Sequence, residues 1–355
     1  MKRIVPALLL FAALIYLVPL AAFFWKGGTP QQSPQSTAES VPLADSEAQP
    51  QEQTAQEPAT TGDYFSILDA TTGRVSVVSA LDYTIGAVAA EMPVTYADDA
   101  LMAQAVAAHS YALALQQNPN KEQKLLDANA DFEADPTRKL GYITQKEMKM
   151  LWGEDYEVYY QRLKSLIEPI IGQVLTYEGA PVTACYHAIS NGMTQSAEDV
   201  WGQSVAYLTP VDSSADTQSP EFEETLTMTA QEVKDALTSH FAGIDCSAEP
   251  SQWFGVFQRN EQNYVTSVMI GQTKCKASDL RTALGLRSTD FTITWTNDCF
   301  TIVTRGYGHG VGMSQFGANV MALNGTSYDQ ILAHYYPGTT LERFSRMLKR
   351  VGLIF

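Results

Sequence analysis

Basic residues are scarce in this sequence. Only 23 lysines and arginines stand against 39 acids, giving a formal charge of −16, and nowhere do they form a stripe or interleave with aromatics. Such a chain repels a polyanion, so nucleic acid is excluded as a partner. Cysteine is sparse too: Cys185, Cys246, Cys275 and Cys299 lie far apart, with no Cys-x-x-Cys pair to build a zinc ribbon or a redox dithiol. Their spacing leaves open whether any two are bonded. The glycine-rich stretch near the C-terminus lacks a following Gly-Lys-Ser/Thr, and Val311 or Met313 stands where a dinucleotide fingerprint needs its third glycine. Phosphate binding is therefore unsupported. Ser314 misses the Gly-x-Ser-x-Gly nucleophile elbow by one residue, and no internal repeat is present.

What the chain does have is enough apolar material for a core, with 45% hydrophobic residues in 355. It also has one long uncharged run, from Ile4 to Trp25. At about 1.5 Å per residue that run can cross a bilayer core of about 30 Å. Residues 1–26 are thus expected to be an N-terminal transmembrane anchor. Lys2 and Arg3 precede the run and only Lys26 follows, which favours a cytoplasmic N-terminus and an exported body. A cleaved signal peptide would have a shorter apolar region and a clear small-x-small site. Residues 27–62 are rich in Pro, Gln, Ser, Thr and acids, without one basic residue. They have too little apolar surface to offset ordering and read as a disordered tether.

The body, residues 63–355, mixes periods and is expected to be α+β. Residues 64–80 read as two short strands around a Thr-Gly turn. Leu81 to Met92 reads as an apolar helix stopped by Pro93, and a second helix starts at Asp98 and Asp99. More helix is expected over 120–172, strands over 173–177, 182–190, 253–270 and 290–304, then a glycine-rich loop and a last helix.

Three clusters could carry chemistry. Glu91 lies among Ala87, Val88, Ala89, Ala90 and Met92 at a helix C-terminus, where desolvation and the backbone dipole both oppose its negative charge. A carboxyl kept protonated near neutral pH suits a general acid for glycosidic cleavage. Taken alone, one glutamate is a weak signal, and its spacing favours a partly exposed residue with no role. The second cluster is the loop with glycines at 306, 308, 310, 312 and 317 around His309. Alternating glycines permit positive φ and close approach to a ligand or to another strand. The loop is expected to sit beside Glu91 with Tyr307, His309, Ser314 and Gln315 offering polar contacts; the bland alternatives are a structural histidine and a helix cap at Ser314. The third is CYHAISNGMTQSAEDVWG, from Cys185 to Gly202. Cys185 and His187 on one strand face would suit a thiol hydrolase or a metal pair, against the plainer reading of an inert buried thiol.

The strings AVAAEMPVTYADDALMAQAVAAHSYALA, YHAISNGMTQSAEDVWG followed by AYLTPVDS, LGLRSTDFTI and GYGHGVGMSQFGANVMALNGTSYDQILAHYYPGTTL resemble, in order, the motifs of the stage II sporulation protein D (SpoIID/LytB) family. The resemblance spans roughly residues 63–342. It implies a peptidoglycan lytic transglycosylase whose catalytic acid, in the Glu-Met-Pro motif, is Glu91. It implies substrate contacts along the motifs, at His109, Tyr111, Ser190, Asn191, Gly192, Thr194, Glu198, Trp201, Tyr307, His309, Ser314 and Gln315. It implies action in cell-wall remodelling at the septal and engulfing membranes of a spore former, on glycan strands stripped of peptides by a partner amidase, with another membrane protein in the complex. His109 stands where many relatives have arginine. Some relatives hold zinc through Cys and His in the insert after this helix, but no Cys or His occurs between Ser110 and Cys185 here. No metal and no cofactor are expected. Two other readings remain: a non-catalytic glycan-binding scaffold and a Cys185/His187 hydrolase of stem peptides.

Overall fold

A computed structural model describes residues 64–139 and 141–343. The anchor, the tether and residue 63 lie outside the described residues. Among those described, no helix is long and apolar enough to cross a membrane.

The body opens with the antiparallel hairpin β1 (Tyr64–Asp69) and β2 (Val75–Ser79). The Asp69 carboxylate turns it by accepting from the N–H groups of Thr71 and Thr72. Ser79 ends the strand and caps α1 (Ala80–Glu91), its Oγ accepting from the Asp82 N–H. α2 (Asp98–Gln116) follows, with two acids on its first turn and apolar residues all round. A helix apolar on every side belongs inside. Accordingly α1 and α2 form the centre of the larger core, with the helix over Tyr156–Ile167 and the C-terminal helices packed about them.

α3 (Gln123–Asp127) leads to β3 (Phe132–Ala134), which pairs in parallel with β1. The charged 120–172 region then gives α4 (Gln145–Trp152), started by a Thr144–Glu147 capping box, and α5 (Tyr156–Ile167). Gly153, at φ 53°, separates them. β4 (Gln173–Tyr177) forms a three-stranded sheet with β5 (Ala180–Pro181) and the last strand of the chain.

The expected strand over 182–190 is corrected to the two residues of β6 (Tyr186–His187). A straight ladder does not form because the partner is the glycine loop, which meets this segment at separate points, including a lone bridge from Ile189 to Tyr307. A short helix, α6 (Ala197–Trp201), comes next.

Residues 223–305 build a second core. β7 (Glu223–Thr229) leads into α7 (Ala230–His240), capped by Thr229 and Glu232. The stretch 253–270 is a hairpin of β8 (Phe254–Arg259) and β9 (Val265–Ile270), extended by β10 (Thr273–Lys276) and α8 (Ala277–Leu284). The stretch 290–304 is also a hairpin, β11 (Asp290–Thr296) and β12 (Cys299–Arg305), turning at Asn297 and Asp298 with φ 53° and 61°. Two successive positive-φ residues match the twist of a tight hairpin. β13 (Met313–Ser314) pairs in parallel with β6, and the expected last helix is two, α9 (Gln315–Leu323) and α10 (Tyr328–Tyr335), broken at Gly325 (φ 87°) before β14 (Thr340–Arg343). The body is α+β.

Candidate active site

Glu91 is the last residue of α1, whose final turn carries no basic side chain. It is half-buried, and its carboxyl makes no hydrogen bond or ion pair with any other described residue. Crowding by protein removes water that would stabilise the anion, so burial pushes its pKa up to about 7. The group thus carries a proton near neutrality and has no fixed recipient for it. Glu91's charge is felt by Tyr186 on β6, where it adds to burial in pushing the phenol well above its ordinary value.

β6 is also where the glycine loop arrives. The Tyr307 N–H donates to the Ile189 carbonyl at 2.6 Å, the Met313 N–H to the Cys185 carbonyl at 3.0 Å, and the Gln195 N–H to the Gly310 carbonyl at 2.6 Å. The approach requires glycine. A Cβ at Gly308 (φ 118°) would lie 2.7 Å from the His187 Cβ, and one at Gly312 (φ 73°) would lie 2.0 Å from the Cys185 carbonyl oxygen. The alternating glycines therefore serve close packing of backbone on backbone. The Tyr186 backbone also lies near the His309 ring.

The His309 ring is 5.3 Å from that of Trp201 and 5.8 Å from that of His187. Its Nδ1 accepts from the Val311 N–H at 3.1 Å, whereas His187 Nδ1 sits 3.2 Å from the Val311 carbonyl and so carries the proton. Burial pushes His187 down to about 4 and His309 well below its ordinary value, the latter also opposed by His187 and Arg281. Both rings are neutral. Cys185 is buried, and burial alone pushes its thiol up to about 12. A protonated thiol beside a weakly basic imidazole is the reverse of an activated nucleophile, which counts against the thiol-hydrolase reading.

Several residues expected to touch substrate are buried or hydrogen-bonded within the body. His109 is only 3% exposed and stacks edge-on to Phe65 in the core; an imidazole on this face of α2 is too short to reach out as an arginine could. Ser190, Thr194 and Ser314 are each 0% exposed. Ser314 Oγ donates to Asp216 and caps α9, the Ser190 N–H donates to Asp216, and the Thr194 hydroxyl bonds the Val211 backbone. Asn191 is tied by its amide to Asp290 and the Gln262 carbonyl, and Gly192 supplies a turn at φ 110°. Gln315 is buried, 3.4 Å from the Gln104 side chain.

Tyr111, Trp201 and Tyr307 are half-buried. Tyr111 is within electrostatic reach of Tyr186, Trp201 covers His309, and Tyr307 lies under the Arg287 guanidinium at 5.3 Å. Glu198 is exposed on the first turn of α6. Sequence reasoning missed Tyr186, although it lies inside a quoted motif and alternates with Cys185 and His187 across the strand. It also missed Asp216, a fully buried carboxylate that accepts from Ser190, Ser213 and Ser314 together; nothing local in the sequence marks it. Among the described residues, no group of His, Cys, Asp and Glu is arranged to hold a metal ion.

The described residues thus form an α+β body with a desolvated glutamate at a helix end and a glycine-rich loop packed against His187 of β6. The particular family is set by comparison. A family model described as stage II sporulation protein matches residues 69–177. The stage II sporulation protein D of Bacillus amyloliquefaciens is 35% identical over 274 residues, covering 76% of this chain and 76% of that protein. That of Bacillus subtilis (strain 168) is 35% identical over 273 residues with the same shares. The amidase enhancer of Bacillus subtilis (strain 168) is 27% identical over 316 residues, 73% of this chain and 40% of that protein. The chain belongs to the stage II sporulation protein D family, a family of sporulation proteins.

Proposed function

We propose that this protein is a membrane-anchored lytic transglycosylase that cleaves the bond between N-acetylmuramic acid and N-acetylglucosamine in peptidoglycan strands. The supporting observation is Glu91, a carboxyl with a pKa of about 7, half-open and without a protein partner. Protonated, it gives its proton to the glycosidic oxygen as the C1–O bond breaks. The resulting carboxylate then takes the proton of the muramoyl C6 hydroxyl, whose oxygen closes on C1 to give a 1,6-anhydro end. One group serves as acid and then base, so no second carboxylate and no water are needed.

Residues 1–26 would hold the body outside the cytoplasmic membrane, at the septal and engulfing membranes of a spore former. The relative named an amidase enhancer supports working with a partner amidase, which would supply peptide-stripped strands, alongside another membrane protein. Glu91→Gln is nearly isosteric and cannot donate the proton. It is expected to keep glycan binding and lose about 10²- to 10⁴-fold in cleavage rate. Near-normal turnover would remove Glu91 from the reaction.

A further inference from the structure

Glu91 ends α1, and the chain leaves the helix at once. Met92 is extended, at φ −129° and ψ 137°, and Pro93 bars another helical turn. Helix ends fray unless something outside the helix holds them. The segment from Pro93 to Ala97 makes one turn of its own, the Tyr96 N–H donating to the Pro93 carbonyl at 3.0 Å. Distant elements supply the other bonds. Arg162 on α5 donates through Nη1 to the Val94 carbonyl, and through Nη2 to the Tyr96 carbonyl at 2.9 Å and to Asp98 Oδ1 at 2.6 Å. Asn319 on α9 accepts from the Ala97 N–H at 2.8 Å. One planar guanidinium thus joins the loop that follows Glu91 to the first residue of α2. Its base is fixed, because α5 packs against both α1 and α2 and Leu163, the next residue, is wholly buried. The two carbonyl bonds are partly buried and the ion pair to Asp98 is exposed, so the carbonyl bonds do most of the holding.

Resting on the transglycosylase reading, we propose that Arg162 is a positioning residue: by clamping the Val94 and Tyr96 carbonyls it fixes the end of α1, and with it the direction in which the Glu91 carboxyl meets the glycosidic oxygen. Val94 is three residues from Glu91, and the ring of Pro93 between them allows little rotation about its own φ. A displacement at the clamp therefore passes along the chain to Glu91. Proton transfer needs hydrogen-bond distance, and a misplacement of about 1 Å can slow a reaction about a hundredfold. Arg162 takes no proton itself and acts through the backbone. Lysine is a partial substitute, since one ammonium on a flexible stem keeps the charge but lacks the planar fork that reaches two carbonyls at once.

The test compares Arg162→Met, Arg162→Lys and Asp98→Asn with wild type in the full chain on peptide-stripped glycan, at a temperature where circular dichroism shows each to be folded. Arg162→Met keeps an apolar stem and loses all three bonds. Its kcat should fall about ten- to a hundredfold while KM stays within about twofold of wild type. Arg162→Lys should recover part of that loss. Asp98→Asn keeps both carbonyl bonds and should stay within about twofold in kcat. A merely structural role would lower the melting temperature and leave kcat per folded molecule unchanged. That result, or a loss confined to KM, would overturn the role of Arg162, and an equal fall in Asp98→Asn would overturn the carbonyl clamp. The product ends of wild type judge the transglycosylase reading separately. Anhydro ends with an unchanged kcat in Arg162→Met would overturn the positioning role alone, whereas hydrated ends from wild type would overturn both.

Discussion

Glu91 is both the candidate acid and a local cost to the fold, and the two can be separated by pH. Its acid form declines as pH rises through about 7, so cleavage should fall about tenfold per unit above that point. The stability effect has a definite sign. Burial raises the folded-state pKa above the ordinary value of 4.5, so the folded state binds its proton more tightly than the unfolded chain does. Stability from this group is complete below about 4.5 and is lost as pH rises through about 7. Glu91→Gln should therefore melt at the same temperature as wild type at pH 4 and higher than it at pH 8, measured by calorimetry. Equal melting at both would mean the carboxyl is well solvated. The raised pKa was legible in the sequence, because apolar neighbours and a helix stop are local features. The burial of His109 was not, since which residues of an all-apolar helix are buried depends on what packs against it.

At the scale of elements, the glycine loop and β6 hold the site through backbone contacts. A Cβ at Gly312 would meet a backbone carbonyl that has nowhere to move, at φ 73°. Gly312→Ala should cost more than about 3 kcal/mol. Gly73 also has positive φ, 67°, but open space around it, so Gly73→Ala should cost only about 1 kcal/mol. Denaturant melts of the two variants check this, and similar losses would mean that conformational strain, not contact, sets the requirement. Gly310 faces side chains where Gly312 faces backbone. Its Cβ would press on Gln195 and Tyr264, which are buried, so Gly310→Val lowers stability along with activity. Alternating glycines in the sequence allowed either a ligand or a strand as neighbour; only the fold brings Cys185 and His187 across to be that strand. For the same reason β1, β2, α1, α2 and β4 were readable from periodicity and caps. The 182–190 segment was not, because its partner is the distant glycine loop, and the turns of the two second-core hairpins were not, because they lie at Asn263, Asn297 and Asp298, residues that take positive φ without being glycine.

The whole chain joins this acidic body to an apolar N-terminal run, and the proposed anchor fixes which side of the membrane the body occupies. Protease added to intact protoplasts should release a fragment beginning within residues 27–62. Complete protection would place the body inside and remove peptidoglycan as its substrate. The central claim, that one protonated glutamate cleaves glycan without water, is tested most directly by the mass of the product ends. Purified protein is incubated with peptide-stripped glycan strands and the fragments are weighed. Muramoyl ends lighter by one water, abundant with wild type and absent with Glu91→Gln, are the expected result. Hydrated reducing ends or intact strands would contradict it.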